Sequence, residues 1–394
     1  MMLLAEQISS TTNMQRVFSA RASVQAMLDV EAALAVAGAA VGLLPLNVVS
    51  TIKSACNADE IDMTKLAHDG ALTGTVVIPL VQWLKEALPA HAKYVHVGGT
   101  SQDIIDTGLV LQLRNGIVLL QVDLATMAKA AAGLAGSHAK TPMLARTLLQ
   151  AAMPTTFGLK AANWLVAIND SRCAIAHAAH EALLAQCGGA AGTLDVLQSD
   201  SVVFLDTFGA ALNLPVAVTP WHTRRAPLAR LAAAIAAAVG VVGKIGTDIA
   251  LMMQPELAEV SEPAAPGRGG SSAMAHKRNP TLSIAARAAA TRMPGFVATL
   301  LAAADQEHER AAGAWQAEAA TWPSLMLCAS GGLAAMAEVL AGLEVFPAAM
   351  AKHLALRPAQ SLPPAIGEFI SRALQDHKNL EIELSAGLIN LFLM

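Results

Sequence analysis

The 394-residue sequence predicts an all-α protein, a bundle of five long helices with its chemistry in the loops between them. Three observations predict it. The chain is 54 % hydrophobic but only 4 % aromatic, and alanine dominates the apolar fraction; such a composition favours long, closely packed helices over sheet. Long proline-free stretches recur. Within them apolar residues step by three and four, which lays one stripe along a helix.

The elements follow in order. Residues 1–98 mix short helical patterns with breaks at Gly42, Pro45, Gly70, Gly74 and Pro89, and read as a smaller N-terminal helical domain. Residues 99–350 read as the central bundle with its loops. Its first helix is expected from Asp103 to about Ala139, with a stripe of Leu109, Leu113, Ile117, Leu120, Leu124, Met127, Ala131 and Leu134. A second is expected from Thr155 to about Gln186. Pro227 opens a third, seamed by Leu228, Leu231, Ile235, Ala238, Val242, Ile245, Ile249 and Met252, and Pro255 ends it. A fourth should start with Asn279 as N-cap and Pro280 at the first helical position. It should stop near Arg292 and resume after Pro294 and Gly295. A fifth covers about Trp315 to Leu343, with Pro323 as a kink. Residues 351–394 remain as a short C-terminal segment. Helices this long pack lengthwise.

Only 14 % of the residues are charged and the net charge is −4. Much helix surface therefore needs covering, which points to an oligomer, and the charge argues against nucleic acid as a partner. The most apolar stretch, Leu231 to Gly243, is stopped by Lys244 and Asp248 and reads as too short to span a membrane. The N-terminus shows no signal-peptide pattern. Cys56, Cys173, Cys187 and Cys328 are scattered, without a CxxC pair, and read as reduced core thiols of a cytoplasmic protein with no metal site.

The most informative run is Gly269 to Pro280, GGSSAMAHKRNP. Two glycines free the backbone, two serines follow, and Lys277 and Arg278 place cations before a helix start. This reads as a mobile loop able to close over an anion and present a hydroxyl to it; an ordinary linker is the plainer reading. A second run, His96 to Thr107, reads HVGGTSQDIIDT. Thr100 and Ser101 sit at the mouth of the first long helix, and Asp103 is spaced for a capping box with Thr100. It is either a cap alone or a carboxylate-binding helix mouth. Gly188 to Gly192 is glycine-rich but has no lysine, so it is a poor phosphate loop.

The loop resembles the signature GSSxMPxKxNP of the fumarase/aspartase superfamily: Gly270, Ser271, Ser272, Met274, Lys277, Asn279 and Pro280 match, and Ala275 replaces proline. Arg146 to Gly158, RTLLQAAMPTTFG, is similar to that superfamily's second motif, RTxxQxxxPxTFG. Members whose leaving group is an amine place a histidine near Leu148 or Ala151. PWHTRR at 220–225 and DQEHERAAGAWQAE at 305–318 are most similar to its bacterial cycloisomerase branch, from about residue 20 to about 355.

The resemblance implies a cofactor-free lyase-type enzyme that lactonises a carboxylated muconate. It implies a small tricarboxylate-type substrate and a homotetramer whose sites are shared between chains. Ser271 and Lys277 would be catalytic. Thr100, Ser101, Thr147, Gln150, His222, Arg225, Gln254, Asn279 and Arg310 would bind substrate. Relatives carry a longer helical domain after the bundle, so the stretch after Ala355 is shortened here. An amine lyase of the same superfamily, a sulfonated-muconate cycloisomerase and an inactive scaffold remain as alternatives.

Overall fold

The computed structural model describes residues 4–197, 200–271, 273–274, 277–355 and 361–385; Ser272, Ala275 and His276 of the signature loop lie outside the described residues. In chain order the elements are α1 (Leu4–Ile8), α2 (Thr12–Val17), α3 (Ala20–Ala40), α4 (Leu46–Ala55), α5 (Met63–Thr73), α6 (Val77–Ala87), α7 (Ser101–Ser137), β1 (Pro142–Thr147), β2 (Gln150–Thr156), α8 (Phe157–Ala182), α9 (Ser201–Leu212), α10 (Ala226–Met252), β3 (Val260–Ser261), α11 (Thr281–Ala302), α12 (Ala314–Ala341), β4 (Glu344–Val345), α13 (Pro347–Leu354) and α14 (Ala365–Ser385). Five long helices, α7, α8, α10, α11 and α12, form the central bundle, as the apolar stripes predicted. The whole predicted seam of α10, Leu228 to Met252, is buried. Burying each large apolar side chain contributes roughly 1.5–3 kcal/mol.

Small residues set how closely these helices approach. A Cβ on Gly243 would stand 2.4 Å from the Ala290 methyl, and one on Gly332 would stand 2.8 Å from that of Ala289. The alanine-rich, aromatic-poor composition is therefore a packing requirement of α10, α11 and α12 against one another.

Several sequence expectations need correction. Residues 142–156 form an antiparallel hairpin, with Met143 opposite Thr155 and Thr147 opposite Gln150, so the second long helix starts at Phe157 and not Thr155. Pro154 biases the residue before it towards extended backbone, and Thr156 caps α8 by accepting the Leu159 N–H (3.1 Å). The fourth helix does not break: α11 runs from Thr281 to Ala302 through Pro294. Pro294 lies on the exposed face, where a missing N–H bond leaves no dry carbonyl unpaired. α10 runs through Lys244, as its seam predicted, and Lys244 pairs with Asp248 one turn on. Among the described residues four helices, α3, α7, α10 and α12, are long and apolar enough by length and composition to cross a membrane, and here they pack into the protein core. Cys173 is exposed, whereas Cys56, Cys187 and Cys328 are buried, and all four are free thiols. The C-terminal α14 docks on α8, where Asn169 contacts His377 (3.3 Å) and Arg172 pairs with Glu381.

Candidate active site

The N-terminal end of α7 is built around Asp103. As the spacing predicted, its Oδ2 accepts the Thr100 N–H (3.0 Å) in a capping box. The same carboxylate also accepts the Gly188 and Gly189 N–H groups (3.0 Å each) and the His222 Nε2–H (2.7 Å). The glycine loop dismissed as a phosphate cradle is thus fastened to the helix mouth. Arg310 closes the arrangement: its guanidinium donates to Thr100 Oγ1 (2.8 Å) and to the carbonyls of Gly189 (3.2 Å) and Ala190 (2.8 Å). Thr100, His222 and Arg310, placed far apart in sequence, meet here. Ser101 is the first residue of α7 and is half-buried.

Arg225, expected to bind substrate, stands just before α10. It is 2 % exposed. Its guanidinium is forked onto Asp106 (2.7 and 3.0 Å) and onto Glu318 (2.9 and 2.6 Å), with the Trp221 ring 5.0 Å away. Burial alone would weaken its charge, but the two carboxylates outweigh burial and raise its pKa. Burial also pushes the Glu318 carboxyl up, against the pull of Arg225. Trp315 Nε1–H (3.0 Å) and the Gln102 amide (3.1 Å) complete the Asp106 shell. The guanidinium is paired with protein carboxylates, and Arg225 ties α7, α10 and α12 together.

At the other end of the bundle lie the remaining predicted residues. Thr147 and Gln150 flank the tip of the β1–β2 hairpin and are exposed. Between them Leu148 (97 % exposed) and Leu149 (76 %) adopt φ of 51° and 64°, a left-handed conformation that is unusual for residues with a branched side chain. Gln254 follows α10 and is exposed. Ser271 Oγ accepts the Ala273 (3.3 Å) and Met274 (3.2 Å) N–H groups in a local turn, and Lys277 is exposed.

Asn279 is not the N-cap. The helix starts one residue later than expected, with Pro280 at the cap position and Thr281 first. The Asn279 N–H donates to the Gly269 carbonyl (2.8 Å), and its side-chain amide donates to Gly269 (3.2 Å) and Gly270 (3.4 Å). Its amide is therefore used to tie the base of the loop. The actual cap is remote: buried Glu262 accepts the N–H groups of Leu282 (3.2 Å) and Ser283 (2.7 Å). A carboxylate at a helix N-terminus is favoured by the helix dipole and satisfies orphan amides. Glu259, also fully buried, pairs bidentately with Arg146 (2.9 Å each) and accepts from His353 (2.9 Å), which joins the hairpin, the segment between α10 and β3, and α13.

Sequence reasoning missed Asp106, Glu318, Glu259 and Glu262. The first had a signal: Asp103 and Asp106 lie three apart on one helix face amid apolar neighbours, and a carboxylate so placed needs a cation. The others are recognisable only from the fold.

The two groups stand well apart within one chain. Arg225 immediately precedes α10 and Gln254 lies just beyond its C-cap; the 27-residue helix between them spans ~40 Å at roughly 1.5 Å per residue. α11 separates Lys277 from Arg310 in the same way over 22 residues, or ~33 Å.

The lyase family model matches residues 6–295 of this chain. The chain is 43 % identical to the 3-carboxy-cis,cis-muconate cycloisomerase of Bradyrhizobium diazoefficiens over 95 % of its own length and 85 % of that protein. It is 42 % identical to the enzyme of the same name from Pseudomonas putida, covering 92 % of this chain and 86 % of that protein. The crystal structure of the Pseudomonas putida 3-carboxy-cis,cis-muconate lactonizing enzyme superposes with a TM-score of 0.90 at 35 % identity, over 96 % of this chain and 99 % of that one.

Proposed function

Starting from the fact that this chain belongs to the lyase family, we propose that it is a cycloisomerase that lactonises 3-carboxy-cis,cis-muconate to 4-carboxymuconolactone. The carrying observation is the similarity to cycloisomerases of that name, which extends in sequence and in fold across nearly the whole chain. Leu148 and Ala151 add a chemical argument, since an enzyme expelling an amine gains from a histidine near those positions. A lactonisation has no amine to protonate.

In the reaction one substrate carboxylate oxygen bonds to an alkene carbon, and the neighbouring carbon takes up one proton. The nucleophile belongs to the substrate. The protein has to stabilise the charge developing beside a carboxylate and to deliver the proton. We assign proton delivery to Ser271 and charge stabilisation to Lys277. The Thr100–Ser101 helix mouth, His222 and Arg310 hold carboxylates, and Thr147, Gln150 and Gln254 contribute from the opposite end. Asn279 shapes the loop, and Arg225 acts as a positioning residue. No cofactor is required by this chemistry.

Residues ~40 Å apart in one chain cannot touch one small tricarboxylate. The reading therefore includes a homotetramer in the cytoplasm, its sites assembled from the α7 end of one chain and the loop end of others. The test is an ultraviolet assay of the purified protein with 3-carboxy-cis,cis-muconate, with the product identified by NMR. Loss of the diene absorbance with lactone formation supports the reading. Inertness towards this substrate together with amine release from an N-succino compound would establish an amine lyase instead, and inertness towards both would leave a scaffold.

A further inference from the structure

Asp103 carries more than the start of a helix. Its buried carboxylate receives three backbone N–H groups and the His222 ring, from three separate segments of the chain. A carboxylate accepts and does not donate, so the 2.7 Å bond to Nε2 fixes the histidine proton on that nitrogen. The ring cannot readily turn over to exchange its nitrogens. A Cβ on Gly188 would stand 2.8 Å from His222 Cε1 and 2.8 Å from Pro220, and the His222 carbonyl accepts from the Gln102 amide (2.8 Å). Its other nitrogen, Nδ1, has no hydrogen-bond partner among the described residues; a Cβ on Gly192 would stand 4.0 Å from it. The Gly188–Gly192 loop that flanks this nitrogen is the loop Arg310 holds by its Gly189 and Ala190 carbonyls.

We propose that Asp103 is a positioning residue that makes His222 a carboxylate-binding group. With the Nε2 proton committed to Asp103, Nδ1 can donate to a substrate carboxylate only when the ring takes up a second proton. Binding of the anion is therefore accompanied by proton uptake at Nδ1, and the buried Asp103 charge balances the resulting imidazolium. Asp103 is the charged group in contact with the ring. Asp106 and Glu318 are engaged by Arg225, and Arg310 lies further along the loop. The kinetic part of this inference rests on the lactonisation reading; the ring chemistry does not.

The test is solid-state NMR of the full-length protein labelled with 15N-histidine, its His222 signals identified by their loss in His222→Gln. At pH 8 the free protein is expected to show the proton on Nε2 and a bare Nδ1. Saturation with tricarballylate, a tricarboxylate without a double bond, is expected to convert the ring to the doubly protonated form. Asp103→Asn should abolish that conversion. In steady-state assays His222→Gln should raise KM about tenfold to a hundredfold, the value of a charge-assisted hydrogen bond, with kcat within a few-fold. Asp103→Asn and the double variant should match it rather than multiply with it. A proton on Nδ1 in the free protein, an unchanged ring on adding tricarballylate, or an unchanged KM in His222→Gln would overturn the proposal. Should Asp103→Asn fail to fold, the wild-type spectra and His222→Gln still decide it. A protein without lactonising activity but with the expected tricarballylate response would reject the reaction and keep the site.

Discussion

The two ends of the helical bundle solve opposite problems. At the α7 end, Asp103, Asp106, His222, Arg225 and Glu318 are each under 5 % exposed and bonded to one another. At the loop end, Thr147, Gln150, Gln254 and Lys277 are exposed, and among the described residues Ser271 and Asn279 bond within their own loop. One end is pre-organised and dry. The other presents its polar side chains to solvent. On the proposed reading a buried wall that fixes carboxylates faces the loop that brings the proton, a division of labour suited to a reaction whose nucleophile is the substrate itself.

The largest expected effect tests the rigid end. Arg225→Met leaves Asp106 and Glu318 facing each other without a cation. Removing one partner from a buried ion pair destabilises a protein by about 3–5 kcal/mol. Thermal unfolding should shift down accordingly, and activity should be lost together with the fold. If the variant unfolded at the wild-type temperature, the triad would not hold the helices together as described.

Next comes the loop end, where the prediction is reversed. Ser271→Ala should leave the melting temperature unchanged, because its hydroxyl bonds only within an exposed turn, and should lower kcat by at least about a hundredfold, as for a lost proton-transfer group. KM should hardly move. Lys277→Ala should raise KM as well, since a cation near a trianion also holds the ground state. Normal turnover in Ser271→Ala would send the search for the acid to Ser272, and a matching loss in both serine variants would favour a loop whose shape matters more than either hydroxyl.

A smaller signal sharpens the comparison most directly. Arg310→Ala damages the α7 end and Ser271→Ala the loop end. If the two ends meet only between chains, mixed tetramers of the two variants contain some sites with both residues intact, and the mixture should regain activity that neither variant has alone. Absence of recovery after verified subunit exchange would mean that each site draws both ends from one chain.

How much of this was legible depended on whether the information was local. The seam of α10 is a period of three and four within one stretch of sequence, and every residue read from it is buried. The Thr100–Asp103 cap is likewise a three-residue relation. The bonds that define the α7 end are not local: Arg225 reaches Asp106 and Glu318 across 119 and 93 positions. Read in sequence, such an arginine is indistinguishable from one that waits for substrate. The hairpin was missed for a different reason. Two-residue hairpin turns are usually announced by Asn-Gly or Asp-Gly, and here Leu148 and Leu149 take left-handed conformations with no glycine to signal them. The Glu262 cap lies 20 residues from the amide it satisfies, so a local capping rule promoted Asn279 in its place.

The smallest expected effect concerns pH. His96 sits beneath the Gly98–Gly99 turn at φ 64°, with Nδ1 2.6 Å from the buried Glu31 carboxylate. Burial disfavours the imidazolium, but the Glu31 hydrogen bond and charge outweigh burial and raise the His96 pKa; Lys85 opposes this weakly and Asp103 supports it. A histidine whose folded pKa exceeds its unfolded value binds protons more tightly when folded. Its contribution is therefore complete below the unfolded value of 6.5 and is lost as the pH rises through the higher folded value. His96→Asn keeps a side chain that tolerates the left-handed backbone and removes the titration. The melting temperature of the wild-type protein should exceed that of His96→Asn most at pH 6 and below, and the gap should narrow steadily towards pH 8.5. Taking the difference between the two proteins cancels the groups they share. A gap that stayed constant across this range, or widened with pH, would mean that the pair steadies the α7 mouth through packing alone, and that the rigid end of the molecule owes nothing to the charge on His96.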